Sequence, residues 1–232
     1  MHFDHAGCIL HDKRPYLKEG DLNDRGRWVS PEIKQARTDE MNADMVRIWN
    51  GVVSSKDFVY IVGDFAWRRH RRWIQELNGK KILIVGNHDK MPQDDLDLFK
   101  PDWTVDDMTW KEALKVRLQF REVHQKLRRK ICGQDMTLVH EPARSWPSSV
   151  HGAWCLTGHC HGRMAETRPN NASGGLILDV GWPVWGRPIS FDEVKKEMMI
   201  KLDMMSDNFK NHVLYGDKLE SMSGEIKEDE VD

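Results

Sequence analysis

The chain has 232 residues, a formal net charge of −2 and 31% charged residues, which fits one soluble globular domain of generous size rather than a disordered or disulfide-stapled one. Near-neutral charge supplies no general pull toward nucleic acid or anionic membrane, and no apolar run approaches the roughly 18 residues of a membrane helix. The first residues lack a basic-then-apolar leader pattern, and Cys8, Cys132, Cys155 and Cys160 form no CxxC pair, so a cytoplasmic protein with reduced thiols is expected. Residues 2–16 are dense in polar groups (His2, Asp4, His5, His11, Asp12, Lys13, Arg14) and show neither strand alternation nor a helical period.

Residues 17–30 read as loop. Ser30-Pro31-Glu32 opens a helix: serine as N-cap, proline at the first position, an acid in the first turn. Its apolar stripe, Met41, Met45, Ile48 and Trp49, carries it to about Gly51. Phe58-Val59-Tyr60-Ile61-Val62 reads as a buried strand ending in Gly63-Asp64. A helix turning Trp73, Ile74 and Leu77 inward follows, stopped by Asn78-Gly79. Ile82-Leu83-Ile84-Val85 is a second buried strand and ends in Gly86-Asn87-His88-Asp89. Residues 90–105 read as loop and 106–126 as helix. Residues 127–140 form a hairpin turning at Cys132-Gly133, whose second arm ends in His140-Glu141-Pro142. Trp154-Cys155-Leu156-Thr157 ends in Gly158-His159-Cys160-His161-Gly162, and 176–180 is a further strand. A helix from Phe191 to about Leu202 is capped by Ser190 with Glu193 three residues on. The expected organisation is a domain over 1–202 and an acidic solvated tail over 203–232. Early alternation of strand and helix predicts parallel pairing, and the later hairpin predicts an antiparallel half.

Buried polar groups cost free energy unless they are hydrogen-bonded or bound to a metal. Here strand after strand ends in one: Asp64, then Asn87 with His88 and Asp89, then His140, then His159 with His161. A single histidine at a strand end is ordinarily structural, and a single Gly-Asp is ordinarily a turn. All four in one chain point to a shared site beyond the carboxyl ends of the strands. Histidine and carboxylate suit zinc, iron, manganese or nickel. His159 and His161, two apart, would point the same way from an extended segment.

This series resembles the calcineurin-like metallophosphoesterases, whose motifs run Asp-x-His, Gly-Asp, Gly-Asn-His-Asp or Glu, His, and Gly-His-x-His. They stand here as Met1-His2, Gly63-Asp64, Gly86-Asn87-His88-Asp89, His140 and Gly158-His159-Cys160-His161, over roughly residues 2–200. His2-Phe3-Asp4-His5, Arg14-Pro15, Ser145-Trp146 and Arg187-Pro188 agree with small prokaryotic and phage-type members. The resemblance implies a four-layer α-β-β-α sandwich of two mixed sheets flanked by helices. It implies two divalent cations, with Asp64 shared between them, His2 and His161 on the first and Asn87, His140 and His159 on the second. It implies hydrolysis of a phosphate mono- or diester by metal-bound hydroxide, His88 as the acid for the leaving oxygen and Asp89 as its support.

The family's first Asp would stand before Met1. The natural start is expected upstream, and the chain as given to hold its second cation firmly and its first weakly. A metal-binding or interaction module, impaired at the first site, is the alternative. Arg144 and Arg163 lie beside the ligand motifs and are candidate phosphate contacts. The run Arg68-Arg69-His70-Arg71-Arg72 reads first as the solvated face of its helix, with a positive rim that draws in phosphate or a nucleic-acid backbone as the alternative. Cys160 should point away from the ligands, His5 and His11 should hydrogen-bond rather than ligate, and Trp182 and Trp185 should pack, a wall for a nucleobase being the alternative.

Overall fold

The computed structural model describes residues 1–89, 120–207, 209 and 210. The expected loop over 90–105, most of the expected helix over 106–126 and most of the acidic tail lie outside the described residues; where the tail is described it is not all solvated, because Met205 and Phe209 pack against the second core. The last part of that helix is corrected: Phe120 is buried without helical structure and Glu122–His124 is a strand. Position 124 pairs with Ile84, so tertiary pairing overrides the local pattern.

Two sheets make the core. The first has order β1-β2-β3, from Phe58–Val62 (β1), Lys80–Ile84 (β2) and Glu122–His124 (β3), all parallel. The second has order β4-β5-β6-β7, from Lys126–Ile131, Gln134–Val139, Trp154–Thr157 and Ile177–Asp179. Only the β4–β5 hairpin is antiparallel; β6 and β7 join in parallel, because the segments between them are long enough to return to the same end.

Period-two alternation sorts the side chains. On β2, Leu83 faces a core built with helix α2 (Pro31–Val52) and helix α3 (His70–Glu76), through Met41, Met45, Trp49, Trp73 and Ile74. Ile82 and Ile84 face the second sheet, where Leu138, Cys155, Leu156 and Leu178 await them. A C-terminal helix, Phe191–Asp203, adds Val194, Met198 and Leu202 to that second core. The result is a four-layer α-β-β-α sandwich with one parallel and one mixed sheet among the described strands. β2, β6 and β7 are buried on both faces, which explains their unbroken apolar runs, whereas β1 departs from the expected buried strand, with Ile61 alone buried and Phe58 exposed.

Local signals agree with the sequence at both long helices. The Ser30 side chain accepts the Ile33 amide, and Ser190 with Glu193 forms a reciprocal capping box. One short helix was not expected: Gly7–His11 (α1) inside the polar N-terminal stretch. It is too brief to show a period. It serves to bring residues 2–12 back over the sheet, where Phe3 bridges to Ala66 beside β1. Trp182–Trp185 is a single turn (α4) that buries Trp182, while the Trp185 Nε1–H donates to the Asp179 carbonyl at 2.8 Å. The closing helix is α5. No helix among the described residues is long and apolar enough to cross a membrane.

Candidate metal centre

The carboxyl ends of β1, β2, β5 and β6 open onto one spot. β1 delivers Asp64, β2 delivers Asn87 and His88, β5 delivers His140, and β6 delivers His159 and His161. His2 arrives from the opposite chain end, its amide donating to the Asp64 carbonyl at 2.8 Å.

Asp64 lies at the middle. Its Oδ2 is 3.3 Å from His140 Nε2 and 3.6 Å from His2 Nε2, and its Oδ1 accepts the His88 amide at 2.9 Å. On one side, His2 Nε2 and His161 Nε2 stand 2.9 Å apart. On the other, Asn87 Oδ1 is 3.0 Å from His140 Nε2 and 3.1 Å from His159 Nδ1. Two donor groups thus share one carboxylate: His2, Asp64 and His161, and Asp64, His140 and His159 with Asn87.

Partners behind the rings fix which nitrogen faces inward. The His140 Nδ1–H donates to the Val62 carbonyl at 3.1 Å, and the His161 Nδ1–H donates to Asp12 Oδ1 at 2.7 Å. Each therefore presents an Nε2 lone pair to the cluster. Asn87 Oδ1 and Asp64 Oδ2 are acceptors aimed at the same place. Acceptors facing acceptors at 3 Å repel unless a proton or a cation lies between them, and this donor set fits a divalent cation of the zinc, iron, manganese or nickel kind.

Titration follows the same logic. Burial raises the Asp64 carboxyl, but the hydrogen bond and charge of His140, the His88 amide and His2 together hold it well below the usual carboxylate range. Burial lowers His140, yet the Asp64 hydrogen bond and charge outweigh it and raise the imidazole. Burial pushes His2 far down.

The backbone is bent to make this possible. His2, Asp64, His159 and His161 all adopt positive φ, at 66°, 51°, 62° and 51°. Left-handed non-glycine residues cost roughly 1–2 kcal/mol each and gather at functional sites. This corrects the extended reading of 159–161: the segment is a tight turn, and it sends His159 and His161 to different groups. The Cys160 thiol turns to Met164 Sδ at 3.7 Å, away from both. Gly63, at φ 78°, allows the His140 ring to lie where a Cβ would sit.

Both oxygens of buried Asp89 accept backbone amides, Phe65 at 2.7 Å and Gly86 at 2.8 Å. This corrects the expectation that Asp89 orients His88 through a hydrogen bond: with both oxygens taken by amides it ties the loop after β2 to the loop after β1, and the imidazole of His88 stays exposed at the mouth. Burial outweighs the two amides and pushes the Asp89 carboxyl up to about 6. The folded state therefore binds this proton more tightly than the unfolded chain, near pH 3.9. Its stabilising effect is full below about pH 4 and lost as pH rises through about 6. We expect the metal-free protein to lose roughly 3 kcal/mol relative to Asp89→Asn over that window. Urea midpoints of both proteins from pH 4 to 7 test this; parallel profiles would contradict it.

Of the expected phosphate contacts, Arg163 donates to the His11 carbonyl at 3.2 Å, and Arg144 is exposed with no hydrogen bond or ion pair to another described residue. In the arginine run, Arg69 pairs with Asp4, and Arg72 pairs with Glu76 and lies over Trp73. His5 Nδ1 is 3.1 Å from Cys8 Sγ, and His2, His5 and Cys8 also lie within ligating range of one another. Sequence reasoning missed Asp12. Only its place in a polar stretch marked it, yet it is buried beneath His161 and paired with Arg14. Removing such a carboxylate typically costs 10–100-fold in metal affinity. We expect Asp12→Asn to weaken the His2–Asp64–His161 group by that factor and spare the other, read by manganese titration.

A two-sheet α/β fold with paired histidine–aspartate groups at its strand ends defines a candidate metal-dependent hydrolase. The model of the calcineurin-like phosphoesterases matches residues 5–159, and the chain belongs to that family. It is 25% identical over 201 residues to the uncharacterized protein MJ1445 of Methanocaldococcus jannaschii, covering 84% of this chain and 85% of that one. It is 28% identical over 185 residues to the Gene 66 protein of Mycobacterium phage L5, covering 70% of this chain and 84% of that protein. Among solved structures, the protein of unknown function AQ665 from Aquifex aeolicus shares the fold, with TM-score 0.51, 19% identity, and coverage of 84% of this chain and 94% of that one.

Proposed function

We propose that the protein hydrolyses phosphate mono- or diesters, with two divalent cations held by His2, Asp64 and His161 and by Asp64, Asn87, His140 and His159. The observation that carries this is the position of Asp64 Oδ2, within 3.6 Å of an inward nitrogen from each group. When bound, such cations polarise the phosphoryl oxygens and acidify water. The second group offers four donors against three and is the tighter.

The chain's own residues do the rest. Asp64 sets the spacing of the two groups. His88, exposed at the mouth with its ring 5.9 Å from that of His2, gives its proton to the leaving oxygen. Asp89 holds the loop that carries Asn87 and His88 in place. Arg163, tethered beside Asp12, contacts the phosphate as it enters, and Arg144 does so from the loop after His140.

An activated aryl group departs without a proton, whereas an alkoxide does not. We therefore expect His88→Ala to lower kcat/KM about 10²–10⁴-fold on an alkyl phosphodiester and far less on an aryl one. Equal losses on both, or no loss on either, would remove His88 from the mechanism.

A further inference from the structure

Among the described phenylalanine, tyrosine and tryptophan side chains two are exposed, Phe58 and Trp67. Phe58 is covered by cations, Lys80 and Arg121 lying 5.0 and 5.1 Å from its ring centre. Trp67 differs. It stands three residues beyond Asp64, its amide donating to the Phe3 carbonyl at 2.7 Å, so the segment that bears the central carboxylate also bears the indole. His5 stacks on the ring with centroids 4.5 Å apart and planes 8° from parallel. His88 lies 5.2 Å from the same ring, tilted by 46°. The indole is thus contacted by imidazoles from two segments, His5 of the N-terminal stretch and His88 of the loop after β2, yet it is 42% exposed.

We infer that Trp67 is the stacking platform for a nucleobase, so that the phosphate ester taken by this site is a nucleotide. The inference rests on the phosphoesterase reading and narrows it. A group whose ester oxygen is within reach of His88 is also within reach of an indole 5.2 Å from His88. A rigid, exposed indole rewards a planar aromatic group there and gains little from a flexible alkyl chain. Stacking on one ring accepts any base, because every base has a π-face, so a preference for nucleotide over sugar phosphate is expected without a preference among bases.

Adenosine 5′-monophosphate and ribose 5-phosphate differ only in the base, so binding of each to the manganese-loaded full chain, by calorimetry, isolates the platform. Wild type should bind the nucleotide about tenfold more tightly. Trp67→Ala should bind the two equally, Trp67→Phe should keep most of the preference, and Trp67→Leu replaces the alanine variant if that one fails to fold. Equal binding of both ligands by wild type, or a preference that survives in the alanine or leucine variant, would overturn the inference. Hydrolysis of an aryl phosphodiester, run in parallel, separates the two claims. Turnover without a base preference sinks the platform alone, whereas a base preference without turnover sinks the phosphoesterase reading alone.

Discussion

Asp64→Asn is expected to lower kcat/KM on a phosphodiester by roughly a thousandfold or more, with little change in fold. Asparagine keeps the volume and tolerates the positive φ of 51° that this position requires. It can still accept the His88 amide. What it loses is the negative charge whose Oδ2 lies between His140 and His2. Both donor groups use that charge, so both are weakened by one substitution, and the several kcal/mol that metal ions contribute to a phosphoryl-transfer barrier go with them. The measurement is steady-state hydrolysis with saturating manganese, alongside thermal unfolding of the metal-free proteins. A variant that keeps more than a tenth of wild-type activity would show that Asp64 is not shared.

Gly63→Ala carries the second large effect, and it reads packing rather than charge. Position 63 adopts φ 78°, which an L-residue occupies at a cost of about 1–2 kcal/mol. In addition, an alanine Cβ would overlap the His140 ring, well inside the 3.0 Å that real Cβ atoms keep. His140 cannot yield, because its Nδ1–H is tied to Val62, the very residue before Gly63. Overpacking of this kind costs a further ~1–3 kcal/mol. Gly133 is the internal control: φ is 85°, but nothing lies within 4 Å of its Cβ. Chemical unfolding should place Gly63→Ala about 2–5 kcal/mol below wild type and Gly133→Ala about 1–2 below it. Only the first should also lose its tighter cation. Equal losses would mean that the His140 contact plays no part.

These two residues show how legible the site is. Gly63 and Asp64 close an apolar run, and so do Asn87 and His140; a polar group at the end of an apolar strand is visible in one dimension because the strand itself is. The helices were legible for the same local reason, through Ser30 with Pro31 and Ser190 with Glu193. Asp12 was not legible. It acts through His161, 149 positions away, and nothing in the local pattern separates it from the charged residues around it. Trp67 was equally silent, since an exposed indole and a buried one look alike in sequence. The parallel pairing of β6 with β5 and β7, and the turn that separates His159 from His161, depend on where irregular segments come to rest. Those are tertiary outcomes without a periodic signal.

We propose that Asp64 serves two unequal cation sites, each with its own histidines. Calorimetric titration of manganese into the metal-free chain tests it most directly. Wild type should bind two equivalents of different affinity, with His140→Ala losing the tighter and His161→Ala the weaker. A single equivalent in wild type, or two variants that bind alike, would contradict it.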